Sequence, residues 1–325
     1  MVDSLTQAEP DGAALLPEEI QRFQEEIQAL KRQQHAVLLG HYYAPPEVQD
    51  VCDFVGDSLG LSRQAAATPA EVIVFCGVHF MAETASILAP SRKVLLPDLG
   101  AGCSLANSIE AEDVEQWRAQ HPHGVVIAYV NTTAAVKALT DCCCTSANAV
   151  QVVQHYAGAE RILFLPDWNL GHYVQATTGI EMDIWRGSCH VHDAFTASRI
   201  LMRMGQEPEA EVLVHPESSG AVVPEIRHDP RVTIASTTGM IKHLKASKAK
   251  KFLIVTEKGV LHKMHQVAPD KELLLIAPDA YCKHMALPTL PRVCEALRTG
   301  APEVKVPAEL AQRAYAPIKR MLEIG

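Results

Sequence analysis

The chain has 325 residues, of which 48% are hydrophobic and 21% charged, and its formal net charge is −9. That length and apolar content support two or three cored domains. The acidic balance without a basic run argues against a nucleic-acid partner, and no apolar stretch approaches the roughly eighteen residues that suggest a membrane span.

Residues 1 to 16 mix Asp, Glu, Gln, Gly and Ala without periodicity and are expected to be a disordered tail. Pro17 then opens a helix running to about residue 34, with Ile20, Phe23, Ile27 and Leu30 on one face. An apolar run VLLGHYY (37–43) follows, then GDS (56–58) at a helix start, the run VIVFCG (72–77), and Cys103. A second helix near 110–120, carrying Val114 and Trp117 and stopped by Gly124, leads into VIAYVN (126–131), CTS (144–146), ILFLPD (162–167) and Cys189. A third, near 194–204 with Phe195, Ile200 and Leu201 and stopped by Gly205, leads into VLVHPE (212–217), AST (235–237), FLIVTEKG (252–259) and Cys282. The same landmarks thus recur in the same order at intervals of roughly ninety residues.

Each repetition reads as helix, strand, loop, helix, strand, helix, strand. Continuous apolar strands alternating with helices imply parallel sheets covered on both faces. The expected architecture is three pseudo-equivalent small α/β/α sandwich domains around a common centre: 17–107, with the C-terminal segment 286–325 packing on it, then 108–193, then 194–285.

In open α/β sheets ligands bind outside the carboxyl ends of the strands, which selects particular residues. His41, Tyr42 and Tyr43, then Tyr129 and Asn131, then His215 and Glu217 stand where the first strand of each repetition ends. Ser58, Ser146 and Thr237 stand at helix starts, where a hydroxyl caps the helix and free N–H groups attract anions. Cys103, Cys189 and Cys282 follow the later strands. If the three units face one axis, three thiolates converge, one short of a closed ligand set, and a metal centre there keeps an open position. The odd total of nine cysteines cannot be used up in disulfides, and a cytoplasmic setting favours metal or catalytic roles for some of them.

The strings GHYYAPPEVQDVCDFVGDSLGLSRQAA, FCGVHFMAETASILAPSRKVLLPDLGAGCSLANSI, YVNTTAAVKALTDCCCTSANAV, FLPDWNLGHYV, GSCHVH, HPE, TEKGVLHKM and YCKHM closely resemble the quinolinate synthase (NadA) family, from about residue 20 to the C-terminus. The resemblance implies three α/β domains around a 4Fe-4S cluster held by Cys103, Cys189 and Cys282. It also implies condensation of iminosuccinate with dihydroxyacetone phosphate to quinolinate, with release of phosphate and two waters, in de novo NAD biosynthesis. On the same resemblance the cluster would act as a Lewis acid through an open iron. Family-like substrate contacts fall on His41, Ser58, Tyr129, Asn131, Ser146, His215, Glu217 and Thr237, with Tyr43, Glu217 and His215 as the acid/base candidates. An aspartate-oxidising enzyme is the expected source of iminosuccinate.

Four features depart from the family pattern. Ser218 follows HPE where cysteine is expected, and the segment from there to Thr237 is longer, so Ser236 and Thr238 compete with Thr237 for the equivalent position. His190 stands where proline is expected, and His284 where asparagine is.

GDSL at 56–59 is similar to a serine-esterase motif, but the accompanying DxxH is absent. CHVH at 189–192 has zinc-ligand residue types, although two histidines one residue apart usually face opposite ways, one inward and one outward. Cys142, Cys143 and Cys144 alternate between faces if they lie in a strand, and so read as packing, like Cys52, Cys76 and Cys294. The alternatives to a cluster-dependent synthase are a zinc Lewis-acid lyase on the same scaffold and a non-catalytic metal sensor.

Overall fold

The computed structural model describes residues 15–324. Most of the expected tail, residues 1–14, lies outside that range. Its last two residues are ordered: Leu15 packs on the core, and Leu16 begins the first helix, its N–H donating to Glu19 Oε2 at 2.8 Å.

The chain builds three four-stranded, all-parallel sheets with helices between their strands. The first runs α1 (Pro17–Gln33), β1 (Ala36–His41), α2 (Pro46–Gln49), β2 (Phe54–Gly56), α3 (Ser58–Ala67), β3 (Val72–Cys76), α4 (His79–Leu88) and β4 (Lys93–Leu95). The second runs α5 (Ala111–Gln120), β5 (Val125–Tyr129), α6 (Ala134–Lys137), β6 (Cys142–Cys144), α7 (Ala149–His155), β7 (Ile162–Leu165), α8 (Trp168–Thr178) and β8 (Asp183–Ile184). The third runs α9 (Ala197–Gln206), β9 (Glu211–Val214), α10 (Pro224–Arg227), β10 (Val232–Ile234), α11 (Thr237–Ala246), β11 (Lys251–Val255), α12 (Val260–Val267) and β12 (Glu272–Leu275). Strand order is the same in all three, β2-β1-β3-β4 and its counterparts β6-β5-β7-β8 and β10-β9-β11-β12. These are three pseudo-equivalent α/β/α sandwiches.

Each repetition has one strand more than expected. The stretch read as a loop contains β2, β6 or β10, three residues each, which is too short for a burial period to register in sequence. Gly205 does not stop α9, which continues to Gln206. Gly124 does lie beyond α5, in a turn pressed against Trp117, where an added Cβ would come within 2.4 Å of the indole.

By compactness the chain forms two units. One comprises residues 15–56, 60–102 and 282–305 and contains the first sheet; the other comprises 57–59, 103–281 and 306–324 and contains the second and third. In the first unit, Leu38, Val74 and Leu95 of the sheet pack with Ile27 of α1 and with Leu290, Val293 and Leu297 of α13 (Leu290–Thr299). Of the C-terminal segment, α13 is thus the helix that packs on the first sheet. The last helix, α14 (Ala308–Ile324), packs instead on β6 and α6 of the second sheet, burying Ala314, Ile318 and Met321. Asn148 Nδ2 donates to Met321 O at 3.0 Å, which fixes that docking.

Pairing registers set the equivalences between repetitions. The last residues of β3, β7 and β11 pair with Gly40, Ala128 and Val214. His41, Tyr129 and His215 are therefore counterparts, as are Tyr43, Asn131 and Glu217 two residues on. On the other side His41 pairs with Gly56, Tyr129 with Cys144, and Val214 with Ile234. Counting on from these pairs makes Ser58, Ser146 and Thr237 equivalent, and neither Ser236 nor Thr238 takes that place. The residues before them, Asp57, Thr145 and Ser236, form the preceding step. The longer segment after Ser218 is absorbed by a 3₁₀ turn, Ser219–Val222, and by α10.

Candidate active site and metal centre

Strand order reverses where β1, β5 or β9 sits between its two neighbours, the point at which doubly wound sheets bind ligands. At that point in the first sheet His41 is buried, its Nδ1 accepting the Tyr43 N–H at 3.1 Å, and the two rings meet edge to face at 4.5 Å. His215 repeats the device in the third sheet: its Nδ1 accepts the Glu217 N–H at 3.4 Å. A histidine at a strand end followed two residues later by the functional side chain is thus one local motif used twice. An accepting Nδ1 leaves the proton of the neutral ring on Nε2.

Within the second unit, Tyr129, Glu217, His215, His192 and Cys189 come together. Tyr129 Oη donates to Glu217 Oε1. His192 Nδ1 lies 2.9 Å from Glu217 Oε2 and 3.4 Å from Cys189 Sγ, and its Nε2 is 3.0 Å from Thr256 Oγ1. The His192 and His215 rings stack at 4.5 Å and 21°. All of these side chains but Cys189 are buried.

Burial works to raise the Glu217 carboxyl. Charge on His192 and His215, together with hydrogen bonds from His192 and Tyr129, outweighs it and holds the group down at about 2. Asp167, at the N-cap of α8, goes the opposite way: burial first, then the Glu217 charge, push it well above the usual carboxylate range.

The hydroxyls divide between capping and lining. Ser236, not Thr237, caps α11: its Oγ accepts the Gly239 N–H at 3.3 Å and donates to Asp57 Oδ2 at 3.3 Å. Thr237 is the first residue of α11, as Ser58 is of α3. Ser146 stands three residues ahead of α7 and, with Ser236, Pro216, Tyr173 and Gln151, lines a cavity of about 260 Å³. Asn131 Oδ1 is buried with no hydrogen-bond partner among the described residues.

Cys103, Cys189 and Cys282 share one backbone hydrogen-bond pattern. Each opens an α-turn in which its carbonyl accepts the N–H four residues on: Asn107 at 3.1 Å, Asp193 at 2.9 Å and Ala286 at 3.2 Å. The Cys189 thiol is pushed well above its usual range by burial, then by the charges of Glu217 and Cys103, while the N–H groups of His192 and Val191 pull it down. A cationic centre would relieve that repulsion, so the thiols fit an iron–sulfur group chemically. The donor atoms of Cys189, His192 and Glu217 also lie within 4.8 Å of one another, close enough to hold a single ion. By contrast Cys142, Cys143 and Cys144 are fully buried, and burial pushes Cys142 up to about 12 and Cys143 up to about 11, which keeps them neutral.

A protein-family model described as Quinolinate synthetase A protein (NadA) matches residues 25–323. The chain belongs to the quinolinate synthase family. It is 48% identical over 306 residues to a quinolinate synthase of Pyrobaculum aerophilum, spanning 93% of this chain and 99% of that one. It is also 48% identical to those of Thermus thermophilus, over 93% of this chain and 97% of the relative, and of Cyanothece sp., over 92% and 93%.

Two residues of this cluster, His192 and Thr256, are not selected by strand ends or helix starts. The histidines of CHVH do not form one site: His190 points outward to Ser104, whereas the 3₁₀ turn His192–Ala194 carries His192 inward to Glu217. The signal that finds it is its position three residues after a cysteine that opens a turn. Thr256 has no signal beyond following a buried strand.

Proposed function

We propose that this chain condenses iminosuccinate with dihydroxyacetone phosphate to quinolinate, releasing phosphate and two waters, as a cytoplasmic step of NAD biosynthesis. Among the described residues no helix is long and apolar enough to cross a membrane. Cys103, Cys189 and Cys282 would hold a 4Fe-4S cluster, which when bound supplies a Lewis-acidic iron with an open position. The observation that carries this reading is the common α-turn opened by each of the three cysteines, together with membership of the family.

The chain's own residues divide the remaining work. Ser58, Ser146 and Thr237, at or just ahead of helix starts, suit the carboxylates and phosphate of the two substrates. The cavity beside Ser146 and Ser236 matches the scale of a three-carbon phosphate, and the unpartnered Asn131 Oδ1 suits a substrate N–H or O–H. A carboxylate held near 2 is a weak proton acceptor, because catalytic bases work best with a pKa near the operating pH. Glu217 therefore acts by fixing the Tyr129 hydroxyl and the His192 ring. Proton transfers in imine formation and ring closure fall to His215 through Nε2 and to Tyr43, with His41 and Tyr129 as substrate contacts.

An anaerobic assay supplying iminosuccinate and dihydroxyacetone phosphate to the iron–sulfur-reconstituted chain, with quinolinate as readout, tests the activity. No quinolinate from protein carrying four irons and four sulfides per chain, as the 4Fe-4S assignment requires, defeats the reading. A second reading, a mononuclear metal on Cys189, His192 and Glu217, is favoured if the active protein carries one zinc per chain and no sulfide.

A further inference from the structure

Two segments that each carry one of the proposed ligands, residues 103–108 and 185–190, run against each other in opposite directions. At one end they are bolted together. Trp185 Nε1 donates to Ser108 O at 2.9 Å, and Gly187 lies so close to Ser108 that an added Cβ would stand 2.2 Å from its hydroxyl. At the other end Ser104 Oγ and His190 Nδ1 share a hydrogen bond of 2.8 Å between exposed side chains. Cys103 and Cys189 are the residues immediately before these two.

We propose that the Ser104–His190 hydrogen bond is a clamp that sets the separation of the Cys103 and Cys189 thiols, making both residues positioning residues for the metal centre. The inference rests on the reading that these thiols bind metal. With one end of the paired segments fixed by packing, the remaining freedom is a scissoring of the other end, and that motion changes the distance between the thiols. The clamp closes that end. Each cysteine carbonyl is already committed to its own α-turn, to Asn107 or Asp193, so the turns themselves do not tie one segment to the other. The bond forms whether the hydroxyl donates to a bare Nδ1 or a protonated Nδ1 donates to the hydroxyl, so the clamp does not depend on the charge of His190.

The test compares His190→Ala, Ser104→Ala, the double variant and Ser104→Thr with the parent chain. Both positions are exposed, so the substitutions leave the core untouched, and circular dichroism checks this. Cobalt(II) is titrated anaerobically into metal-free protein while the thiolate-to-cobalt absorption is followed; separately, loss of the cluster to a chelator is timed. Each alanine variant is expected to weaken cobalt binding and to speed cluster loss by roughly two- to tenfold, the range set by one net hydrogen bond. The double variant should be no worse than either single one, and Ser104→Thr should restore parent behaviour. Parent-like singles, or a double variant whose effect is the product of the singles, overturn the clamp. If cobalt binding responds as expected while the parent chain cannot be reconstituted with iron and sulfide, the clamp stands and the cluster assignment falls. If the parent reconstitutes fully and the variants match it in both measurements, the assignment stands and the clamp falls.

Discussion

Glu217 is the residue on which the second unit's site turns. One carboxylate oxygen takes the Tyr129 hydroxyl and the other faces His192 Nδ1 at 2.9 Å, and the side chain is 3% exposed. A glutamine has one acceptor oxygen, so its amide N–H₂ would be turned on one of these two donors. Glu217→Gln is accordingly expected to lower quinolinate formation by roughly 10²-fold, the scale for misplacing groups of a site by about 1 Å. Turnover equal to the parent removes Glu217 from the machinery. The depressed carboxyl gives a second readout with a defined sign. The group's ordinary value is 4.5 and it is held at about 2, so its contribution to stability is fully present above about 4.5 and is lost as the pH falls towards 2. In metal-free protein, the gap between the unfolding midpoints of the parent and Glu217→Gln should shrink across that window. A constant gap contradicts the assigned partners. Glu217 was legible because an acid after His-Pro at a parallel strand's end has few structural uses. His192 was not, because its direction is decided by a single 3₁₀ turn that leaves no period in the sequence.

At the scale of elements, the long helices and apolar strands announced themselves by period, whereas β2, β6 and β10 did not. Those short strands matter because their register, not their burial, decides which hydroxyl is which. It makes Thr237 the counterpart of Ser58 and Ser146 and leaves the cap of α11 to Ser236. A capping hydroxyl replaced by alanine typically costs about 1 kcal/mol, which for a locally opening helix end corresponds to roughly fivefold faster exchange. Ser236→Ala should therefore speed hydrogen exchange at the Gly239 amide, with the lost bond to Asp57 Oδ2 adding to the effect. Thr237→Ala should leave that amide protected while weakening the use of dihydroxyacetone phosphate. The reverse pattern would return the cap to Thr237 and shift the equivalence by one residue. The docking of α14 on β6 was hidden for a different reason: an amphipathic helix at the end of a chain states that it covers an apolar face, not which one.

Across the whole molecule, the threefold repetition makes a claim that no single site residue can make. His41, Tyr129 and His215 are counterparts by register yet chemically different, and so are Tyr43, Asn131 and Glu217, so the repetition conserves position while varying the functional group. The thiols do the opposite: Cys103, Cys189 and Cys282 keep both the residue and the α-turn. Selection for packing alone gives no reason to hold a cysteine in one hydrogen-bonded turn at three partly exposed places, whereas Cys143, Cys144 and Cys294, all buried, have that reason. On the cluster reading, serine at 103, 189 or 282 should each abolish the visible iron–sulfur absorption and quinolinate formation to the same degree, with circular dichroism unchanged. Serine at 143, 144 or 294 should keep both and reduce stability by about 1–3 kcal/mol, the cost of a poorly satisfied buried hydroxyl. A mononuclear site gives a different pattern: Cys189→Ser and His192→Ala lose the metal, and Cys282→Ser keeps it. Metal content across these six serine variants and His192→Ala therefore decides whether the three equal turns serve one centre or whether Cys189 serves an ion with His192 and Glu217 alone.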